Sequence, residues 1–267
     1  MSSLSLKSTR VRVAAATAAA LVAGAGLYTA GAASADHAVP RSDKEIPNLT
    51  QVQDKIKAYY GDTVDASGQH YASPESNYAK QVADIERKAK AQLERVVKNQ
   101  GKAHGAKKPA IVLDVDDTTL LTYNYELQQG FRFTPESQDA YLKSTDMGPV
   151  FGMPQLVNWA KEKGVEVFFV TGRDEHQRDW SVRNLKNAGY KPAADTEHFF
   201  LKNKKTPPAY LACGAKCTTV EYKSGTRAYI ESKGYRIVAN FGDQFSDLQG
   251  GHAERTYKLP NPMYYLP

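Results

Sequence analysis

Asp114-Val115-Asp116-Asp117-Thr118 sets two carboxylates two residues apart directly after the apolar run Ala110-Ile111-Val112-Leu113. Successive side chains of extended backbone alternate faces, so Asp114 and Asp116 project the same way while Val115 and Asp117 point elsewhere. Two like charges held together call for a cation. A hard divalent ion such as Mg²⁺ takes oxygen ligands and can hold a phosphate oxygen as well. One of the carboxylates is also a competent nucleophile. The spacing therefore suits phosphoryl transfer, against the simpler reading of an Asp-rich turn after a strand.

The elements that would position these groups follow a regular alternation. Apolar runs at 110–113, 165–170, 199–201, 236–241 and 256–259 read as strands. Helices at 155–163, 175–188 and 225–233 lie between them, stopped by Gly164, Gly189 and Gly234. Alternation of this kind implies an α/β fold, a Rossmann-like, doubly wound parallel sheet covered by helices on both faces. In such sheets ligands bind beyond the carboxyl ends of the strands. Two further polar clusters stand there, Thr171-Gly172-Arg173 and Gly242-Asp243-Gln244-Phe245-Ser246-Asp247. Upstream, Ser73-Pro74-Glu75 starts a helix with Val82, Ile85, Ala89, Leu93 and Val96 on one face. An N-terminal helical extension over 49–106 thus precedes the main domain, 107–267. The insert between Asp114 and Thr171 is small and aromatic, with Tyr123, Tyr125, Phe131 and Phe133 either walling the site or filling core.

Residues 1–35 have the parts of a secretory signal peptide: Lys7, Arg10 and Arg12, an Ala-rich apolar middle, and Ala33-Ser34-Ala35. A polar stretch with Pro40 and Pro47, residues 36–48, reads as a flexible leader. Losing those three basic residues lowers the formal net charge from +6 to +3. That balance gives no sign of a nucleic-acid module, and no membrane attachment is expected once the signal is removed. In an exported chain the lone pair Cys213 and Cys217 is most simply a disulfide, with free thiols as the alternative. His176, His198 and His252 stand singly and suggest no imidazole metal site. The oligomeric state is not legible.

The combination of Asp114, Asp116 and Thr118, then Thr171 to Arg173, Tyr222-Lys223-Ser224, Gly242 to Asp247, and the tail Leu259-Pro260-Asn261-Pro262-Met263-Tyr264-Tyr265 resembles the haloacid dehalogenase (HAD) superfamily. Within it the chain is similar to the secreted acid phosphatases, class B-like and related to plant acid phosphatases and vegetative storage proteins. The resemblance implies an exported, Mg²⁺-dependent phosphatase acting on small phosphate monoesters, with Asp114 as nucleophile and Asp116 as general acid and base. It implies metal ligands from the Asp114 carboxylate, the Asp116 backbone carbonyl and the Asp243 carboxylate, with Asp247 in support. Thr171, Gly172 and Lys223 would meet the phosphoryl group, Lys202 and Lys205 competing with Lys223. Arg173 either touches substrate or pairs with Asp174 or Glu175. A non-catalytic storage or binding protein and a phosphotransferase on the same scaffold are the alternatives.

Overall fold

The computed structural model describes residues 39–100 and 107–266. The expected signal peptide lies outside the described residues, as do positions 36–38 of the leader. Residues 39–49 fall outside the main unit; they are exposed and carry one 3-10 turn, Asp43–Glu45. The main unit, residues 50–267, holds everything that follows.

Five strands form one all-parallel sheet: β3 (Lys108–Leu113), β4 (Glu166–Asp174), β5 (Phe199–Lys202), β6 (Tyr235–Gly242) and β7 (Thr256–Lys258). Their order across the sheet is β5-β4-β3-β6-β7. β3 is central and buried on both faces, which is why residues 109–113 are continuously apolar instead of alternating. Its side chains still sort by face. Ile111 and Leu113 join Val167, Phe169 and Phe241 in one core, while Ala110 and Val112 join Phe168, Val170 and Ile237 in the other. Two short strands ahead of the sheet, β1 (Thr63–Val64) and β2 (His70–Tyr71), pair as a separate antiparallel hairpin.

The first core is closed by α2 (Asn77–Lys98), α5 (Met153–Glu162) and α6 (Arg178–Asn187), which supply Val82, Ala89, Leu93, Leu156, Val157, Ala160 and Leu185. The second is closed by α7 (Thr219–Ser232) through Tyr222 and Ile230, with Leu211 and Cys217 beside them. Cys213 and Cys217 are joined, their Cα atoms 4.9 Å apart. No described helix is long and apolar enough to cross a membrane.

The N-terminal extension is part of the core. α2 lays one face on the sheet, and Gln92 of that helix donates to the Val238 carbonyl at 3.0 Å and accepts from the Tyr257 hydroxyl at 3.1 Å. α1 (Leu49–Tyr60) contributes Tyr60, stacked on Tyr78 of α2 at 4.3 Å and on Tyr123 at 4.5 Å. Tyr123 opens α3 (Tyr123–Gln128), and α4 (Pro135–Ser144) completes the insert. The insert aromatics thus divide: Tyr123 and Tyr125 are core, while Phe133 is exposed.

Several elements differ from the sequence expectation. α7 begins at Thr219, six residues before the expected start, because Thr218 and Glu221 form a reciprocal capping box. Gly225 lies inside that helix, where a Cβ would come 2.8 Å from Leu211 Cδ2. The helix expected from 175 becomes a 3-10 turn, Glu175–Gln177, leading into α6. α1 opens the expected helical extension, whereas the β1–β2 hairpin, α3 and α4 had no counterpart in the sequence reading, since their polar or aromatic stretches lack strong periodicity.

Glu86 of α2 lies against the α5 N-cap, Gly152, whose φ is +75°. A side chain at 152 would overlap the Glu86 carboxyl, so glycine is required both for the left-handed backbone and for the approach. Glu86 Oε1 is buried without a hydrogen-bond partner, and burial raises its pKa from 4.5 to about 8. A carboxyl that must stay neutral in the fold costs stability as pH rises from its ordinary value to the raised one, and adds no further loss above that. Urea midpoints measured between pH 4.5 and 8 are therefore expected to fall less steeply for Glu86→Gln than for wild type. Parallel curves would show that Glu86 is not buried as described.

Candidate active site

The three polar clusters converge at the carboxyl ends of β3, β4 and β6, the central strands of the sheet. β3 ends at Leu113 and the chain turns immediately, with the amides of Thr118, Thr119 and Leu120 all donating to the Val115 carbonyl. The strand alternation expected to orient Asp114 and Asp116 therefore does not extend through them. A tight turn does that work, with Asp117 in the left-handed region at φ 52°. At β4 the pairing with β5 jumps from Val170–Phe200 to Asp174–Lys202, so Thr171-Gly172-Arg173 sits on a strand irregularity. Bulges of this kind re-aim side chains beside sites.

Lys223 is the hub. Its ammonium donates to Asp114 Oδ1 at 2.6 Å and to Asp247 Oδ1 at 2.5 Å, with all three residues buried. Burial works against its charge, but the two carboxylates outweigh burial and hold its pKa above the ordinary lysine value. The sequence reading put Lys223 just before a helix. It lies instead in the first turns of α7, which carries it inward over the sheet. Asp247 is seated by the Gln244 amide at 2.9 Å, and a Cβ at Gly242 would collide with it. Arg227, fully buried one turn beyond Lys223, donates to the carbonyls of Asp247 (2.7 Å), Gly251 (2.9 Å) and Gln249.

Asp243 accepts from Thr118 Oγ1 at 3.2 Å, Gln244 Nε2 at 2.7 Å and Asn261 Nδ2 at 2.8 Å. Asp117 accepts from the Thr122 amide and hydroxyl and from the Tyr264 hydroxyl at 2.8 Å. Burial pushes Asp117 and Asp243 up to about 7, and Asp114 well above its usual range in spite of Lys223. Four buried carboxylates, Asp114, Asp117, Asp243 and Asp247, thus gather here, and the Lys223 ammonium meets two of them, Asp114 and Asp247. Oxygens of Asp114, Asp243 and Asp247 lie within 4.8 Å of one another. The surplus negative charge and the all-oxygen donor set fit a hard divalent cation.

Asp116 is held differently. Arg173, fully buried, donates from Nε at 3.0 Å and Nη2 at 2.6 Å to its two carboxylate oxygens. Nη1 of Arg173 is anchored on Ser181 at 2.9 Å. Arg173 therefore pairs with neither Asp174 nor Glu175. Thr171 is buried and its hydroxyl accepts from the Arg173 amide, while Gly172 is exposed. His176 links the insert to this loop through Asp139 of α4 (2.9 Å) and Asp174 (2.7 Å), contacts that raise its pKa.

Sequence reasoning left out Asp117, Asn261, Gln244, Tyr264 and Arg227. Four of these, Asp117, Gln244, Asn261 and Tyr264, stood inside motifs already singled out. Arg227 sits in a helix with no local sign that it would be buried.

Residues 19–267 match the family described as HAD superfamily, subfamily IIIB acid phosphatase. Vegetative storage protein 1 of Arabidopsis thaliana is 33% identical over 162 residues, 58% of this chain and 55% of that protein. Acid phosphatase 1 of Solanum lycopersicum is 35% identical over 159 residues, 58% of each. The chain thus spans little more than half the length of the curated relatives it matches. The class C acid phosphatase from Bacillus anthracis superposes with a TM-score of 0.60 at 21% identity, over 81% of this chain and 86% of that one. That likeness concerns the fold.

Arg227→Met would strand three carbonyls behind Asp247, each losing a bond to a charged donor worth about 1.5–3 kcal/mol. A loss of at least about 3 kcal/mol in unfolding free energy is expected from urea denaturation. A change under about 1 kcal/mol would show that those carbonyls are met in another way.

Proposed function

The chain belongs to the acid phosphatases of HAD subfamily IIIB, and from that premise we propose that it hydrolyses small phosphate monoesters through a covalent phosphate on Asp114. The observation that carries this reading is the buried Lys223 ammonium shared by Asp114 and Asp247 at the strand ends. Asp114 attacks phosphorus, a bond forms from its carboxylate oxygen, and the bond to the ester oxygen breaks. Asp116 gives its proton to that leaving oxygen. Water then attacks the phosphorus of the aspartyl-phosphate, returns a proton to Asp116, and frees inorganic phosphate and the Asp114 carboxylate.

The remaining residues serve charge and position. Thr171 and the Gly172 amide donate to the non-bridging oxygens, over which the charge spreads. Lys223 neutralises both the nucleophile and the phosphoryl group. Arg173 is a positioning residue, its planar fork fixing the Asp116 carboxylate. Asp114, Asp243 and the Asp116 carbonyl would hold Mg²⁺ with Asp247 in support, and the ion would supply positive charge against the phosphate. The proposed signal peptide and the Cys213–Cys217 disulfide favour an exported protein. Since relatives include storage proteins, a non-catalytic role is the competing reading.

Mg²⁺ is expected to raise the melting temperature of the wild type, and Asp243→Asn to remove that rise. EDTA and Asp114→Asn should each abolish phosphate release from p-nitrophenyl phosphate. A folded, Mg²⁺-binding wild type with no turnover would give way to the storage reading.

Arg173→Lys keeps the charge but loses the fork, so kcat should fall on the order of 100-fold with little change in KM. A KM rise at constant kcat would instead put Arg173 on substrate.

A further inference from the structure

Lys202 ends β5, in register with Asp174, the residue after Thr171-Gly172-Arg173. It is half-buried, with Nζ 5.9 Å from the ring centroid of Tyr222, the neighbour of Lys223. Comparable half-buried lysines have partners: Lys161 meets Glu166 and Lys258 donates to the Leu259 carbonyl. Among the described residues, the Lys202 ammonium forms no ion pair or hydrogen bond. Burial and the charges of Lys204 and Lys223 lower its pKa. Just beyond, Asn203 Oδ1 accepts from the amides of Lys205 (3.1 Å) and Thr206 (2.8 Å), a fixed turn that leaves Lys204 and Lys205 exposed.

A half-buried ammonium with no counterion of its own calls for an anion from outside, as paired carboxylates call for a metal. Lys223 is already neutralised by two carboxylates, and the phosphoryl oxygens have Thr171 and Gly172. β5 stands two strand spacings, about 10 Å, from β3. Lys202 therefore flanks the phosphoryl position on Asp114 and does not share it.

We propose that Lys202, with Lys204 at its rim, is a second anion subsite that selects phosphate monoesters whose leaving group carries another phosphate or a carboxylate. The inference rests on the phosphatase reading above and names the substrate class for that site. Steering by such a site acts on substrate capture and weakens with salt.

Two matched pairs test it, each differing by the second anion: fructose 1,6-bisphosphate against fructose 1-phosphate, and 3-phosphoglycerate against glycerol 3-phosphate. In the wild type the kcat/KM ratio within at least one pair should be about tenfold in favour of the ester that carries the second anionic group, and should shrink in high salt. Lys202→Met should bring that ratio towards one through KM, while Lys202→Arg keeps it. Preference in the first pair alone identifies a phosphate, in the second alone a carboxylate. An absent preference, a ratio unchanged in Lys202→Met, or a parallel loss on all four esters would overturn the proposal. If the wild type cleaves none of the four, nor p-nitrophenyl phosphate, the phosphatase reading falls first. Circular dichroism and melting temperature of both variants establish that they fold.

Discussion

Burial of one ammonium between two carboxylates is the constraint from which the rest of the site follows. Lys223 cannot lose either Asp114 or Asp247 without leaving a charge in a dry interior, at a cost of several kcal/mol. One acid stands in the turn after β3, the other in the short helix Phe245–Leu248 after β6, and the lysine in a helix over the sheet. The triad therefore fixes the register of three elements at once. Asp117 and Asp243 stand outside that triad, and burial drives both towards the neutral form. A divalent ion would restore their charge, so metal affinity and burial are two sides of one arrangement.

Holding that arrangement requires support that does not touch the reacting atoms. Arg227 fastens the loop behind Asp247, Asn261 and Tyr264 bring the C-terminal tail onto Asp243 and Asp117, and Tyr60 and Tyr78 pack close enough to feel those charges. Tail and N-terminal extension thus close the same side of the sheet ends. They exclude water from the carboxylates and so raise the worth of every charge inside. On the other flank, Arg173 and His176 tie the β4 loop to Asp116 and to the insert, leaving the β5 edge with its lysines open.

Much of this was legible because it is local. The strands at 110–113, 165–170 and 236–241 are apolar runs bounded by turn residues, and parallel sheets put their ligands at strand ends, so the three polar clusters could be placed before any coordinates. The helix carrying Lys223 starts six residues before the 225 expected from the sequence. Thr218 and Glu221 form a capping box that marks the true start. Arg173 was read as contacting substrate or its sequence neighbours, since nothing local points to Asp116, fifty-seven positions away.

Residue type, spacing and periodicity by themselves determined the parallel sheet and the positions of Asp114, Asp116, Thr171, Asp243 and Asp247 relative to its strand ends, while Lys223 was singled out through the family resemblance. Tertiary structure alone decided which charges meet. Lys223 rather than Lys202 or Lys205 reaches Asp114, Arg173 takes Asp116, and Asp117 turns inward to Thr122 and Tyr264. The reason is physical. Periodicity reports which face of an element is dry, but the partner of a buried charge is set by packing between elements distant in the chain.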